Sequence, residues 1–283
     1  MRRAAWTARA FAFKQGLDTG LERALAAVIH PGELTLLERV LIAERLAWVG
    51  AATTFGLRAV VLGDTVLADT GPAGARQGLA VVNRYRGGLA RYAAEAAQLL
   101  VLNEDQASLV ELAPGQVEAV PSGAGFPVGR VPAELLESGR PVEALGLRAR
   151  WALAMAAELG GAAHAVVELT SAHLRERVQF GRPLAHFQAL RHRVANLAVD
   201  TEATRWMVRE AAYLGQERPM WLAASYAAAV GAALSPDAVQ LWGARGFVYE
   251  FGVSNLIMRL QGLRLELGPS DRLAETMLAA PAP

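Results

Sequence analysis

The sequence predicts a mainly α-helical protein, with a small β domain set between a helical N-terminal region and a C-terminal helical bundle. Two observations carry this. From about Pro141 onwards apolar residues recur at helical spacing over long runs. Between about Arg86 and Arg130 that spacing gives way to short apolar pieces separated by turn residues. The 283 residues, 53% of them hydrophobic, supply enough apolar surface for more than one packed unit. The expected division is 1–85 for the helical N-terminal region, 86–141 for a reduced β domain and 142–283 for the bundle.

The chain opens Met1-Arg2-Arg3 ahead of an apolar stretch. Arg9 interrupts that stretch and no small-residue cleavage site follows, so an amphipathic helix is expected rather than a signal peptide. Leu37, Val40, Leu41 and Trp48 recur at near-helical spacing, with Glu44 interrupting the face, and a largely apolar run follows from Ala51 to Leu67. In the β region, Gln98 to Leu102 and Ser108 to Leu112 read as strands, and Val117, Ala119 and Val120 as a third. Asn103-Glu104-Asp105 and Pro114-Gly115 are the turns between them.

In the bundle, Trp151, Met155, Leu159, Ala162, Ala163, Val166, Val167 and Leu174 mark one face of a long helix ending near Arg177. Leu184, Phe187, Leu190, Val194, Leu197 and Thr201 mark the next. Gly161 and Ala162 would let helices approach closely. The apolar run from Met220 to Leu234 is shorter than the roughly 20 residues of a membrane span, so a buried helix is expected there. Ser235-Pro236 reads as the start of another helix.

Composition narrows the function classes. The net charge of +1 and the scattered arginines argue against a nucleic-acid partner. With no cysteine there can be no disulfide, thiolate metal site or cysteine nucleophile. His186 and His192 are not at an i, i+4 ligand spacing, and no metal site is expected. No P-loop, Gly-x-Ser-x-Gly or Ser-x-x-Lys pattern occurs either. A cytoplasmic protein with no membrane partner is the expectation.

The stretch from Arg177 to Gln188, Arg-Val-Gln-Phe-Gly-Arg-Pro-Leu-Ala-His-Phe-Gln, carries the chemistry. A long apolar run ends there, Gly181 permits a sharp turn, and Pro183 sits where a following helix would take its first residue. Two helices are expected to meet at a tight corner. It holds a guanidinium able to grip a diphosphate bidentately, the amide of Gln179 and the ring of Phe180. Gln188, expected one turn into the new helix, adds a donor and an acceptor. Downstream, Gln240-Leu-Trp-Gly243-Ala244-Arg-Gly246-Phe247 is a glycine-rich helix end of the kind that lets a backbone approach a ligand closely.

These two segments resemble signatures of the acyl-CoA dehydrogenase family, Arg-x-Gln-Phe-Gly-x-Pro-x-x-x-Phe-Gln and Gln-x-x-Gly-Gly-x-Gly-Phe, with Ala244 in place of one glycine. The resemblance covers roughly residues 142 to 280 and is faint before them. It implies a helical domain, a β domain and a C-terminal four-helix bundle, with FAD lying across a subunit interface. By resemblance Arg177 contacts the pyrophosphate, Gln179, Phe180 and Gln188 lie near the ribityl and adenine portions, and Gln240, Gly243 and Ala244 approach the adenosine end. All of these belong to the half of the site that a chain gives to its neighbour.

The half a chain keeps for itself looks eroded. Neither a Thr-Glu-Pro segment nor a Trp-x-Thr-Asn-like segment occurs between Asp69 and Pro132. The family's catalytic carboxylate falls in Tyr-Glu-Gly-Thr, and the corresponding segment here is Glu266-Leu267-Gly268-Pro269. Leu267, or Gly268 after a one-residue slip, therefore stands at the position of the base, and neither accepts a proton. Glu266 is the neighbouring carboxylate, but one helical step turns a side chain by about 100°. A subset of the family carries the base on the preceding long helix, at the position of Trp151 here. Glu158 and Glu250 are the other carboxylates near matched segments, and both read as structural.

The resemblance thus implies a protein that dehydrogenates an acyl-CoA thioester with FAD as one subunit of an oligomer, the partner chain supplying the base. Some bacterial members that degrade steroid side chains are built from two genes in this way. A self-sufficient enzyme with its base displaced to Glu266 or Glu158, and a non-catalytic relative, are the alternatives.

Overall fold

The computed structural model describes residues 33–51, 53–62, 78–83, 88–103 and 106–280, together with 20–21 and 24–25. The helix expected at the N-terminus and the turn at residues 104–105 lie outside the described residues.

Helix α1 (Leu36–Trp48) starts at a capping box in which the Glu38 amide donates to the Thr35 hydroxyl and the Thr35 amide donates to the Glu38 carboxylate. Glu44, the charged interruption of its apolar face, is buried and accepts hydrogen bonds from Arg205 (2.6 Å) and Arg209 (2.9 Å). Leu57–Leu62 is wound as a π-helix with all of its residues buried.

Seven strands form two sheets. Strands β1 (Leu79–Asn83), β3 (Gln98–Leu102), β4 (Ala107–Glu111) and β7 (Arg140–Val142) pair in that order, β1 parallel to β3 and the rest antiparallel. Strands β2 (Leu89–Arg91), β6 (Val128–Arg130) and β5 (Glu118–Val120) make a second, antiparallel sheet. The three expected strands are found, within a residue or two. β1 precedes residue 86, where the sequence placed the start of the β region. Its Leu-Ala-Val-Val run does not alternate because both faces are covered, with Leu79 and Val81 in the main core and Ala80 and Val82 in a smaller one beneath the sheets. A short helix α2 (Ala133–Glu137) precedes β7.

Four long helices follow: α3 (Leu147–Glu176), α4 (Gln188–Leu214), α5 (Glu217–Trp242) and α6 (Val253–Leu267), with the shorter α7 (Ser270–Ala279) after them. The sequence assigns α3 one apolar face, yet every residue from Trp151 to Ala163 is buried, so α3 is the central rod of the molecule. Its small residues allow this. A β-carbon on Gly161 would come within 2.2 Å of the Glu44 carbonyl oxygen, so the α1 backbone crosses α3 at that glycine.

Two helices, those from Leu147 and Glu217, are long and apolar enough to cross a membrane, but 83% of the apolar window of the first is buried inside the fold. The expected helix start at Ser235-Pro236 is corrected by the structure, because α5 runs through Pro236. Ala232, whose carbonyl loses its helical donor to the proline, and Pro236 are both exposed, which leaves that carbonyl to water. The Ser235 hydroxyl meanwhile donates to the Gly231 carbonyl at 3.0 Å.

Candidate functional site

Helix α3 stops at Glu176, and Arg177 is extended (φ −79°, ψ 116°) while its amide still donates to the His173 carbonyl at 2.8 Å. A hairpin follows, β8 (Val178–Gln179) against β9 (Arg182–Pro183). Its turn residues, Phe180 and Gly181, have φ of 56° and 75°. Two left-handed residues make the primed turn that suits a two-residue hairpin, at a cost of roughly 1–2 kcal/mol for a residue with a β-carbon. The cost falls on Phe180, which is 87% exposed at the tip. Its ring meets Phe187 edge-on at 6.0 Å, and the Arg182 guanidinium lies 4.3 Å from the Phe187 centroid.

This geometry corrects two expectations. Pro183 closes the hairpin instead of opening a helix, and a 3-10 turn at Leu184–His186 intervenes before α4. Gln188 is therefore the first residue of α4, not one turn inside it, and it is exposed. Gln179 is exposed as well, its amide nitrogen donating to the Val178 carbonyl at 2.6 Å.

The second motif ends α5. Gly243 has φ 60° and ψ −144°, a conformation that disfavours side chains, and a β-carbon there would meet nothing within 4 Å. Gly246 differs, since a β-carbon would come within 3.1 Å of the Val239 carbonyl. Ala244 is exposed in the 3-10 turn Gly243–Phe247. Gln240, Gly243 and Phe247, with Val239 and Ile257, line a mostly apolar, open groove of about 380 Å³.

A stack of rings joins the two motifs. His173 lies on Trp242 with centroids 4.1 Å apart and planes 12° from parallel, and the Trp242 indole donates to the Thr170 hydroxyl at 3.0 Å. Phe251 stands 6.3 Å from Trp242, with the Arg245 guanidinium 5.1 Å from its centroid. Burial lowers the His173 pKa, and Arg245 and Arg177 push it the same way against Glu176. The corner's positive charge is thus carried by arginines.

At the other end of the bundle, Arg91 of β2 is fully buried between two carboxylates. Its Nη1 is 2.5 Å from Glu158 Oε2 and its Nε is 3.1 Å from Glu266 Oε2. Arg259 adds a longer contact to Glu158 at 3.8 Å and donates to the Ala51 carbonyl at 2.9 Å. Burial disfavours the charge on Arg91, but Glu158 and Glu266 outweigh it and raise its pKa. Tyr92, at φ 59°, is buried beside them, and burial raises the pKa of its hydroxyl although Arg259 and Arg91 oppose.

Residues 148–280 match the family model described as acyl-CoA dehydrogenase, C-terminal domain. This bundle is thus similar to the C-terminal domain of acyl-CoA dehydrogenases. The acyl-CoA dehydrogenase IpdE2 of Mycolicibacterium smegmatis is 37% identical over 124 residues, which are 44% of this chain and 40% of that protein. The alignment thus spans well under two thirds of the relative's length. Across nearly the whole chain the fold is shared with a variant of the Tcur3481-Tcur3483 steroid ACAD (TM-score 0.78, 20% identity, 98% of this chain and 94% of that one). It is shared also with the ChsE4-ChsE5 complex from Mycobacterium tuberculosis (TM-score 0.70, 20% identity, 94% and 90%).

In this bundle, Leu267 is the last residue of α6 and only 2% exposed, and Gly268 ends the helix at φ 110°. Trp151 is buried in the core and Glu250 is exposed in a short 3-10 turn. Among the described residues no three His, Asp or Glu side chains gather as metal ligands. Sequence reasoning missed Arg91, whose partners lie 67 and 175 positions away. It also passed over Arg245, which stands inside a motif read for its glycines.

Proposed function

We propose that this chain is one subunit of a heteromeric, FAD-dependent acyl-CoA dehydrogenase, giving the Arg177 and Gln240 segments to a flavin shared with a partner chain. The carrying observation is the fate of the carboxylates. A buried leucine holds the position of the base, and Glu266 and Glu158 are both bound to Arg91. A carboxylate fixed in a buried ion pair is not free to reach a substrate carbon. The reading therefore assigns the base to the partner.

The exposed residues fit a dinucleotide. Arg177 is half-buried at the end of α3, Phe180 offers an open aromatic face, and Gly243 leaves open space where a side chain would stand. When bound, FAD accepts the hydride leaving the substrate β-carbon. Arg177 would hold the pyrophosphate, Gln179, Phe180 and Gln188 would line the ribityl and adenine portions, and Gln240, Gly243 and Ala244 would border the adenosine end. The exposed tip at Phe180 would also cover that part of the flavin from water.

The names of similar proteins support the substrate class. IpdE2 is called an acyl-CoA dehydrogenase, and both structural neighbours are named as two-component proteins, one of them a steroid ACAD. An acyl-CoA, with a steroid side-chain thioester as the favoured case, is the proposed substrate, and the cytoplasm the proposed location.

The test is the visible spectrum of the chain expressed alone and with a candidate partner dehydrogenase, followed by anaerobic addition of an acyl-CoA. A flavin band in the co-expressed sample alone, bleached by substrate, is the expected result. Bleaching by the lone chain would make it self-sufficient, and no flavin in either sample would make it a non-catalytic relative.

A further inference from the structure

The Arg177 and Gly243 segments leave their helices beside one shared contact. Arg177 stands one helical turn beyond His173, and its amide still donates to the His173 carbonyl at 2.8 Å. Gly243 follows directly on Trp242, the last residue of α5. His173 and Trp242 are the pair whose rings stack at 4.1 Å, and the bond from Trp242 to the Thr170 hydroxyl spans 72 positions of the chain. The segment beyond Gly243 folds back on the same indole, with Phe251 at 6.3 Å.

The last turn of a helix lacks partners for its carbonyls and frays unless tertiary contacts hold it. An aliphatic contact would hold α3 and α5 together without fixing how one turns against the other. The contact here is directional. The Thr170 hydroxyl donates to the Val166 carbonyl at 2.7 Å, which fixes its rotamer and leaves its oxygen to accept from the Trp242 indole. The indole has a single donor, so the bond sets its rotation while the stack on His173 sets its tilt. Thr170, His173 and Trp242 are all buried, where a satisfied polar network specifies one arrangement. We infer that Thr170, His173 and Trp242 form a positioning unit that holds the Arg177 segment and the Gly243 loop at one separation and angle, so that both engage the same flavin. The inference rests on the reading that these segments receive a flavin, and it adds residues that act through the segments without touching it.

The experiment uses the full chain co-purified with its partner and stripped of flavin. FAD is titrated by fluorescence into the native protein, Thr170→Val, Thr170→Ser, Trp242→Phe and the Thr170→Val, Trp242→Phe double variant. Thr170→Val keeps the shape and removes the acceptor, and Trp242→Phe keeps a ring on His173 and removes the donor. Each should weaken FAD by about five- to tenfold, the worth of one hydrogen bond, and Thr170→Ser should stay within about twofold of native. The double variant should bind no worse than the weaker single one, because both remove the same bond. Without flavin, hydrogen exchange at the Arg177 and Val248 amides should be slow in the native assembly and should quicken at both in Thr170→Val. Melting temperatures report whether each variant folds, and the native exchange rates need no variant. FAD affinity within about twofold of native in both single variants would leave the three residues a mere core contact. Additive losses, a serine variant as weak as the valine one, or unprotected amides in the native assembly would equally overturn the unit. A native assembly that takes up no FAD at all, even with both amides protected, would sink the functional reading and the positioning of a flavin with it.

Discussion

Arg91 and Glu158, 67 positions apart in the chain, meet at 2.5 Å in the interior, and the same guanidinium reaches Glu266 from its other side. Strand β2, the central helix α3 and the end of α6 are thereby fixed to one another. Removing one partner of a buried ion pair leaves the other without its counter-charge, at a typical cost of about 3–5 kcal/mol. Glu158→Ala is expected to lower stability by about that amount in chemical denaturation. A Glu158→Leu, Arg91→Met double variant should lose less than the two single changes together.

Glu266 is expected to be dispensable for chemistry. Glu266→Gln, in the co-expressed assembly, should leave the rate of flavin bleaching by an acyl-CoA within about threefold of the native protein while lowering the melting temperature. A rate loss of the size usual for a missing general base, about a hundredfold or more, would return Glu266 to the catalytic candidates.

Arg177→Ala should weaken flavin retention by about 1.5–3 kcal/mol, the value of a hydrogen bond to a charged group. Equilibrium dialysis of the flavin-loaded assembly measures it, and unchanged retention would remove Arg177 from the site.

Phe180 sits in a backbone conformation that asparagine adopts more readily. Phe180→Asn, giving the Asn-Gly pair favoured in such turns, should stabilise the isolated chain by up to about 1 kcal/mol. The same change should loosen flavin in the assembly. An aromatic residue retained against its local preference is thus ascribed to what it touches outside its own chain.

Stability should fall in mild acid. The lowered His173 pKa means that the unfolded chain binds the proton more readily than the folded one, so the contribution is complete above the ordinary value of 6.5 and is lost as pH falls through the lowered folded value. Burial, reinforced by Arg205, lowers His164 in the same direction. The melting temperature should therefore drop between about pH 7 and pH 5, and His173→Phe, which keeps a ring against Trp242, should flatten part of that slope.

Some of this was legible in the sequence. Gln98 to Leu102 stands where the run of β-formers places it, and the helix ending before Arg177 does so because its apolar residues repeat over many turns. The hairpin between α3 and α4 was not legible, because Phe180 is a residue that sequence reasoning keeps out of left-handed turns. Pro236 misled for a related reason, since a proline after a serine reads as a helix start and only the exposure of Ala232 shows why the helix tolerates it. The role of Arg91 had no local signal at all. In a three-residue strand an arginine reads as an edge residue facing water, and both carboxylates that hold it arrive from helices far along the chain.

Gly161 bears on how the molecule can be divided. Because α1 lies against α3 with no room for a single methyl group between them, α1 shields a stretch of α3 that is buried on all sides. A fragment limited to residues 142–283 would expose that stretch and would carry Glu158 and Glu266 without Arg91. The segment from 148 to 280 is thus not a module that could be cut out or grafted elsewhere, because its central helix needs the first half of the chain both as a cover and as the source of a counter-charge.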